Sequence, residues 1–345
     1  MNNRLIVLAV LVLQTISCSK KNDQPLRFEL LNPQHTQVDF INKLVESDTM
    51  NIVGFEYMYN GAGVAIGDIN NDGLKDIYLT GNQVNDKLYL NKGDFVFEDI
   101  SASAHIESTG WSNGVTMTDI NEGGLLDIYV SRGGMREWSR DDWANRLFVN
   151  MGDGTFKDMA KEYGVADTGY SMQSVFFDYD KDGDRDLYVL TNALVDYNRN
   201  TSKYKTSDGS AQSTDRLYRN NGDGTFTNIS MEAGITMEGF GLGVSVCDIN
   251  KDGWLDLYIS NDFLTDDLLL VNNQDGTFSD RLTDYFKHLS YNGMGNDVGD
   301  LNNDGNPELF TVDMFPNSNE RIKQTMMKPS LDVLDHNISL GYAPQ

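Results

Sequence analysis

The sequence predicts an all-β fold, a β-propeller of four-stranded blades, and three observations carry that prediction. A short acidic phrase recurs from Asp68, Asp119, Asp178, Asp248 and Asp300, at spacings of 51, 59, 70 and 52 residues. Such a period matches one supersecondary unit stacking against its neighbours. The first unit holds four strand-like runs on short links, and in the next three the last two runs are closed by an Asp-Gly turn. The run before each acidic phrase is built of small residues, as in Gly63-Val-Ala-Ile-Gly67 and Gly114-Val-Thr-Met-Thr118, which suits strands converging on a crowded axis. A β-sandwich or a linear solenoid would leave that small inner strand unexplained.

Residues 1–18 come first, with Arg4 and the apolar run Leu5 to Leu13, too short to span a bilayer and of secretory length. Thr15-Ile16-Ser17-Cys18 resembles the lipidation site of a bacterial lipoprotein. The expectation is export and a lipid anchor on Cys18 in the outer membrane, with no other membrane contact. The only other cysteine, Cys247, reads as a small buried residue. Residues 19–55 form a tether and an N-terminal segment, in which 28–31 and, running past it, 54–59 look strand-like.

The repeats occupy 56–315. In the first, strands are expected at 63–67, 76–80, 87–91 and 95–100. Later repeats match in their second halves, Asn145 to Phe156, Asp215 to Phe226 and Asp267 to Phe278. The fifth has only a first hairpin, from Asp297 to Asp313, followed by a tail over 316–345 that looks helical from Asn319 to about Asp335. With four full repeats and a half, the expectation is either a piece of a larger ring or a ring that stays open, and an open ring would leave pairable sheet surface exposed.

The charge is one-sided, 52 Asp plus Glu against 27 Lys plus Arg, for a net charge of -25. Nucleic acid is therefore excluded as a partner by repulsion. Much of the excess sits in the repeated loops, which makes it a site signal.

In the first loop, side-chain oxygens of Asp68, Asn70, Asp72 and Asp76 occupy positions 1, 3, 5 and 9, and the carbonyl of Leu74 occupies position 7. Hard oxygen ligands in this number, with a glycine at the bend, suit Ca2+ better than magnesium. The third loop, Asp178, Asp180, Asp182 and Asp186, has Asp184 in addition and is the most charged. Two further loops keep every ligand position, namely Asp248, Asn250, Asp252 and Asp256, and Asp300, Asn302, Asp304 and Glu308. The second loop, Asp119, Asn121 and Asp127, has Gly123 at position 5 and is expected to be weak or empty. Recurrence favours calcium over simple turn-forming residues. Affinities of about 0.1 to 1 mM would make these structural sites saturated outside the cytoplasm.

The acidic loop, the Asn-x-Gly-Asp-Gly-Thr-Phe turn and their spacing resemble the FG-GAP or VCBS repeats of integrin-alpha-type propellers. The run from Tyr59 to Gly73 is similar to exported bacterial proteins of the ASPIC/UnbV family. The resemblance implies a seven-bladed ring in a longer protein, which this chain matches in part as a truncated member.

There is no HExxH, GxSxG, phosphate loop or pair of cysteines with metal spacing, and the four histidines are scattered. No catalytic residue is assigned. Strand alternation puts acidic loops and Asp-Gly turns on one rim, and the long links between second and third strands on the other. Those links carry Arg132, Arg136, Trp138, Trp143, Tyr197 and Tyr204, candidates for binding a protein or glycan. The expected function is a calcium-stabilised, non-enzymatic scaffold at the cell envelope. The alternative is a calcium-assisted polysaccharide lyase using Arg132, Arg136, Tyr197 or Lys203 on a uronate.

Overall fold

The protein is described here from a computed structural model over residues 28–106, 108–135, 138–196, 204–290, 292–314, 318–321, 335–336 and 338–342. The leader, Cys18 and most of the 319–335 stretch lie outside these residues. The first repeat folds as β1 (Val64–Gly67), β2 (Asp76–Leu79), β3 (Lys87–Asn91) and β4 (Phe97–Asp99). The second gives β5 (Trp111–Thr118), β6 (Asp127–Gly133), β7 (Arg146–Asn150) and β8 (Phe156–Asp158). The third is β9 (Ser171–Phe177), β10 (Asp186–Thr191), β11 (Arg216–Asn220) and β12 (Phe226–Asn228). The fourth is β13 (Gly241–Cys247), β14 (Asp256–Asn261), β15 (Leu268–Asn272) and β16 (Phe278–Asp280). A half blade, β17 (Gly293–Gly299) and β18 (Glu308–Asp313), follows.

Every blade is antiparallel in chain order, so acidic loops and Asp-Gly turns share one rim as the alternation predicts. The Asp-Gly turns close in the same way each time. Asp153 Oδ1 accepts from the Thr155 amide at 3.0 Å and from its hydroxyl at 2.6 Å, and Asp275 treats Thr277 alike.

Glycine on the inner strands has a steric cause. A Cβ on Gly114 would lie 2.6 Å from the Met172 carbonyl oxygen, and one on Gly243 would lie 2.8 Å from the Gly295 Cα. Side chains bridge the inner strands of neighbouring blades. Thr116 Oγ1 donates to the Ser174 carbonyl at 2.7 Å, and Asn296 Nδ2 donates to that of Gly243 at 3.0 Å. These bonds satisfy backbone oxygens that no fifth strand covers.

Apolar clusters fill the space between blades. Tyr78, Leu88, Ile128 and Val130 pack between the first and second, and Tyr129, Leu147, Leu187 and Val189 between the second and third. Tyr188, Leu190, Leu257 and Ile259 follow between the third and fourth. Each fully buried side chain of this size contributes about 2 to 3 kcal/mol, before the entropy of ordering the chain is counted. At the ends the same positions are bare. Ile66 is 65% exposed, and Phe310, at the place held by Tyr78 in the first blade, is 58% exposed.

The N-terminal segment departs from expectation. Residues 28–31 form no strand, with Phe28 and Leu30 exposed, and 54–59 form turns. The segment is held by single contacts, with His35 Nε2 meeting the Asp94 carbonyl in the turn between β3 and β4 at 2.9 Å and the others on the rim opposite the acidic loops. Asp39 Oδ1 accepts from the Tyr89 hydroxyl at 3.1 Å, and Gln83 Oε1 accepts from the Val45 amide at 2.6 Å. Phe55 meets Trp111 edge-on at 4.7 Å, and the Tyr57 hydroxyl donates to Asp262 at 3.1 Å. The segment thus straps the rim from the first blade to the fourth.

Candidate metal centre

Each acidic loop is shaped by its own carboxylates. In the first, Asp68 accepts from the amides of Asp72 (3.1 Å) and Gly73 (2.8 Å), and Asp72 Oδ1 accepts from Leu74 at 2.8 Å. The ninth position does a separate task that sequence reasoning missed. Asp76 is fully buried, and its two oxygens accept from the amides of Ile69 (2.9 Å) and Asn91 (2.8 Å), tying the loop to β3. Asp127, Asp186 and Asp256 repeat this arrangement. Glu308 instead accepts from Leu301 and from the Asn302 amide. The second loop, lacking a carboxylate at position 5, keeps its shape because Asp119 still binds the amides of Gly123 and Gly124.

The loops differ in how their acids gather. Among the described residues, one cluster brings carboxylate oxygens of three residues within 4.8 Å of one another: Asp178, Asp180 and Asp186. In the first, fourth and fifth loops the third-position asparagine donates to the fifth-position aspartate, as Asn70 does to Asp72 at 3.0 Å and Asn250 to Asp252 at 2.9 Å. An aspartate at position 3 cannot make that bond; Asp180 Oδ1 instead accepts from the Asp182 amide at 3.4 Å, and its carboxylate meets those of Asp178 and Asp186. The Asp178 Oδ1 atom is buried and has no hydrogen-bond partner. An orphaned anionic oxygen inside a three-carboxylate cluster fits a hard divalent cation.

Burial pushes the Asp186 carboxyl up to about 7, against the pull of the Asn220 and Tyr179 amides, and the charges of Asp180 and Asp182 add to the rise. Burial and then the Asp182 charge raise Asp180 as well. Two carboxylates 4.8 Å apart repel by about 3 kcal/mol at an effective dielectric of 20. Asp182 stands exposed beside the cluster.

A buried tyrosine–acid pair recurs in the full blades, and the sequence signal for it is a tyrosine two residues after the ninth loop position. Tyr78 donates to Asp86 at 3.0 Å, Tyr188 to Asp215 at 2.7 Å and Tyr258 to Asp267 at 2.6 Å. The second blade has Asn145 instead, whose Nδ2 donates to the Tyr129 hydroxyl at 3.0 Å. Burial pushes both Asp86 and Asp215 up to about 6, despite the amide and hydroxyl donors around them.

On the opposite rim the candidate ligand surface is corrected. Arg132 is 1% exposed, its guanidinium donating to the Thr109 carbonyl at 2.5 Å, and Trp143 is 0% exposed, edge-on to Tyr170 at 5.8 Å. Trp138 is half-buried against the same cluster. The strap covers these side chains, because Phe55 and Met58 complete an apolar core that the insertion alone would leave open. Tyr204 is 73% exposed, and Arg136, Tyr197 and Lys203 lie outside the described residues. Cys247 is half-buried, with burial first and then Asp256 and Asp248 pushing its thiol up to about 11, which disfavours the thiolate at neutral pH.

The sequence pattern of the FG-GAP-like repeat matches residues 68–130, 138–189, 206–259 and 248–311, more than half of the chain. The chain belongs to the FG-GAP-like repeat family. Each match spans at least one acidic loop, and the family assignment agrees with the repeated four-stranded sheets. Cartilage acidic protein 1 of Homo sapiens is 28% identical over 212 residues, covering 58% of this chain and 28% of that protein. Its counterpart in Mus musculus is 28% identical over 209 residues, covering 58% and 29%. The chain thus spans under a third of these relatives' length. The crystal structure of the V. cholerae biofilm matrix protein Bap1 overlaps with a TM-score of 0.35 at 15% identity, covering 68% of this chain and 30% of that one.

Proposed function

We propose that this FG-GAP-repeat chain is a calcium-stabilised binding scaffold outside the cytoplasm, held at the envelope through Cys18. The observation that carries the calcium reading is the unpartnered Asp178 oxygen within the Asp178, Asp180 and Asp186 cluster. When bound there, calcium would supply positive charge and no redox or acid chemistry. Asp178, Asp180 and Asp186 would hold it, with the loops containing Asp68, Asp248 and Asp300 as further sites. The apolar leader followed by Cys18 supports export and anchoring.

Presentation of a protein or glycan ligand falls to the strapped rim, where Tyr59 and Tyr204 stand exposed on a packed support. The scaffold reading draws support from the interblade cores, which hold the rims at fixed positions. The lyase alternative loses one candidate, since a guanidinium committed to the Thr109 and Ala144 carbonyls in a buried site cannot reach a uronate.

Thermal unfolding in 2 mM calcium and in excess chelator tests the proposal. The midpoint is expected to fall on chelation in the parent and to move less in Asp178→Asn, which removes the unpartnered carboxylate, the remaining shift coming from the loops containing Asp68, Asp248 and Asp300. An unmoved midpoint in the parent sinks the calcium reading.

A further inference from the structure

We propose that the fourth residue of each acidic loop tunes calcium affinity at the next loop along the ring, so that Lys181 weakens the fourth loop and Lys251 the fifth. The inference rests on the calcium reading above and concerns side chains outside the ligand positions. The fourth residue is left-handed in every loop, with φ of 58° at Asn71, 56° at Glu122, 61° at Lys181, 61° at Lys251 and 60° at Asn303. Where its contact is seen, this residue leaves its own loop and lands on the following one. Asn71 Nδ2 donates to the Gly124 carbonyl at 2.7 Å. The Lys181 ammonium sits 4.4 Å from the centre of the Trp254 ring and 3.5 Å from where a Cβ on Gly253 would lie. The Lys251 ammonium donates to Asn306 Oδ1.

These landing points adjoin the fifth-position acids Asp252 and Asp304. The fourth and fifth loops therefore each hold a tethered monovalent cation beside their anions. A divalent ion entering such a loop must share those anions with the ammonium and is repelled by it. The third loop receives no such cation, because the preceding fourth residue is the acid Glu122. The difference grades the sites, with the third loop filling first and the fourth and fifth later. By linkage, calcium in the fourth loop loosens Lys181 from Trp254 to the same degree that Lys181 opposes calcium.

Trp254 occupies position 7 of the fourth loop, so its indole serves as a local antenna for terbium luminescence. Terbium is titrated into the full chain and then displaced by calcium, in the parent, in Lys181→Met, which keeps the stem over the ring, and in Lys181→Arg, which keeps the charge. The expected result is calcium affinity at this loop about three- to tenfold tighter in Lys181→Met, and unchanged within twofold in Lys181→Arg. Unchanged or weaker affinity in Lys181→Met overturns the proposal, as does a terbium signal absent from every variant. Calorimetry on the same samples separates the two readings. Calcium heat without any Trp254-sensitised signal refutes the grading while leaving the third loop as a site, whereas no calcium heat removes the calcium reading itself.

Discussion

Replacing Asp215 by asparagine is expected to stabilise the protein at pH 7.5 and to flatten its pH dependence. Asp215 is buried, accepting from the Tyr188 hydroxyl at 2.7 Å, the Thr191 amide at 2.7 Å and the Thr191 hydroxyl at 3.1 Å. Burial holds its carboxyl at about 6 in the folded state, against about 3.9 in an unfolded chain. Because the folded value is the higher one, the folded state binds more protons between these limits. Stability is therefore greatest below about pH 4 and is lost as pH rises through about 6. A two-unit rise corresponds to a loss on the order of 3 kcal/mol once the group is fully ionised.

The second blade shows that an amide fits the position. Asn145 there accepts from the Arg132 amide at 2.7 Å and donates to the Tyr129 hydroxyl. Urea unfolding of parent and Asp215→Asn at matched calcium, from pH 4 to 7.5, measures the difference at each pH. The variant should gain relative to the parent by up to about 1.4 kcal/mol per pH unit between 4 and 6, then level off. A difference that stays constant across this range would refute the assignment of a burdened, buried carboxylate. Asp86, also held at about 6, should respond in the same direction.

Two further outcomes follow from the packing. Trp143→Ala should cost about 3 to 5 kcal/mol, as for a large core truncation, because its ring is buried against Tyr170; stability close to the parent by urea unfolding would return Trp143 to the ligand surface. Asp127→Ala should cost about 2 to 3 kcal/mol equally with and without calcium, since it removes the acceptor for the Ile120 and Asn150 amides in a loop lacking the fifth-position acid; a loss seen only with calcium would make Asp127 a ligand first.

The repeats, their four strands and the order of the rims were legible because each depends on residues close in sequence. Strand alternation, an Asp-Gly turn and glycine at a crowded axis are local requirements. The loop residues were legible for the same reason, but their ranking was not. Asp180 was read as a third-position ligand like the asparagines of the other loops, whereas having no side-chain donor for Asp182 sets it apart and goes with the gathering of three carboxylates in this loop.

Arg132 and Trp143 were misread because exposure is not a local property. Long insertions rich in tryptophan and arginine fit a recognition surface equally well until a segment some eighty residues earlier is laid across them. By itself, the sequence determined the repeating unit, the blade and the candidate ligands, since hydrogen bonding and side-chain alternation act over a few residues. The tertiary structure alone decided which aromatic residues are core, which carboxylates meet and which loop a lysine reaches, because burial and Coulomb energy depend on distance in space between residues far apart along the chain.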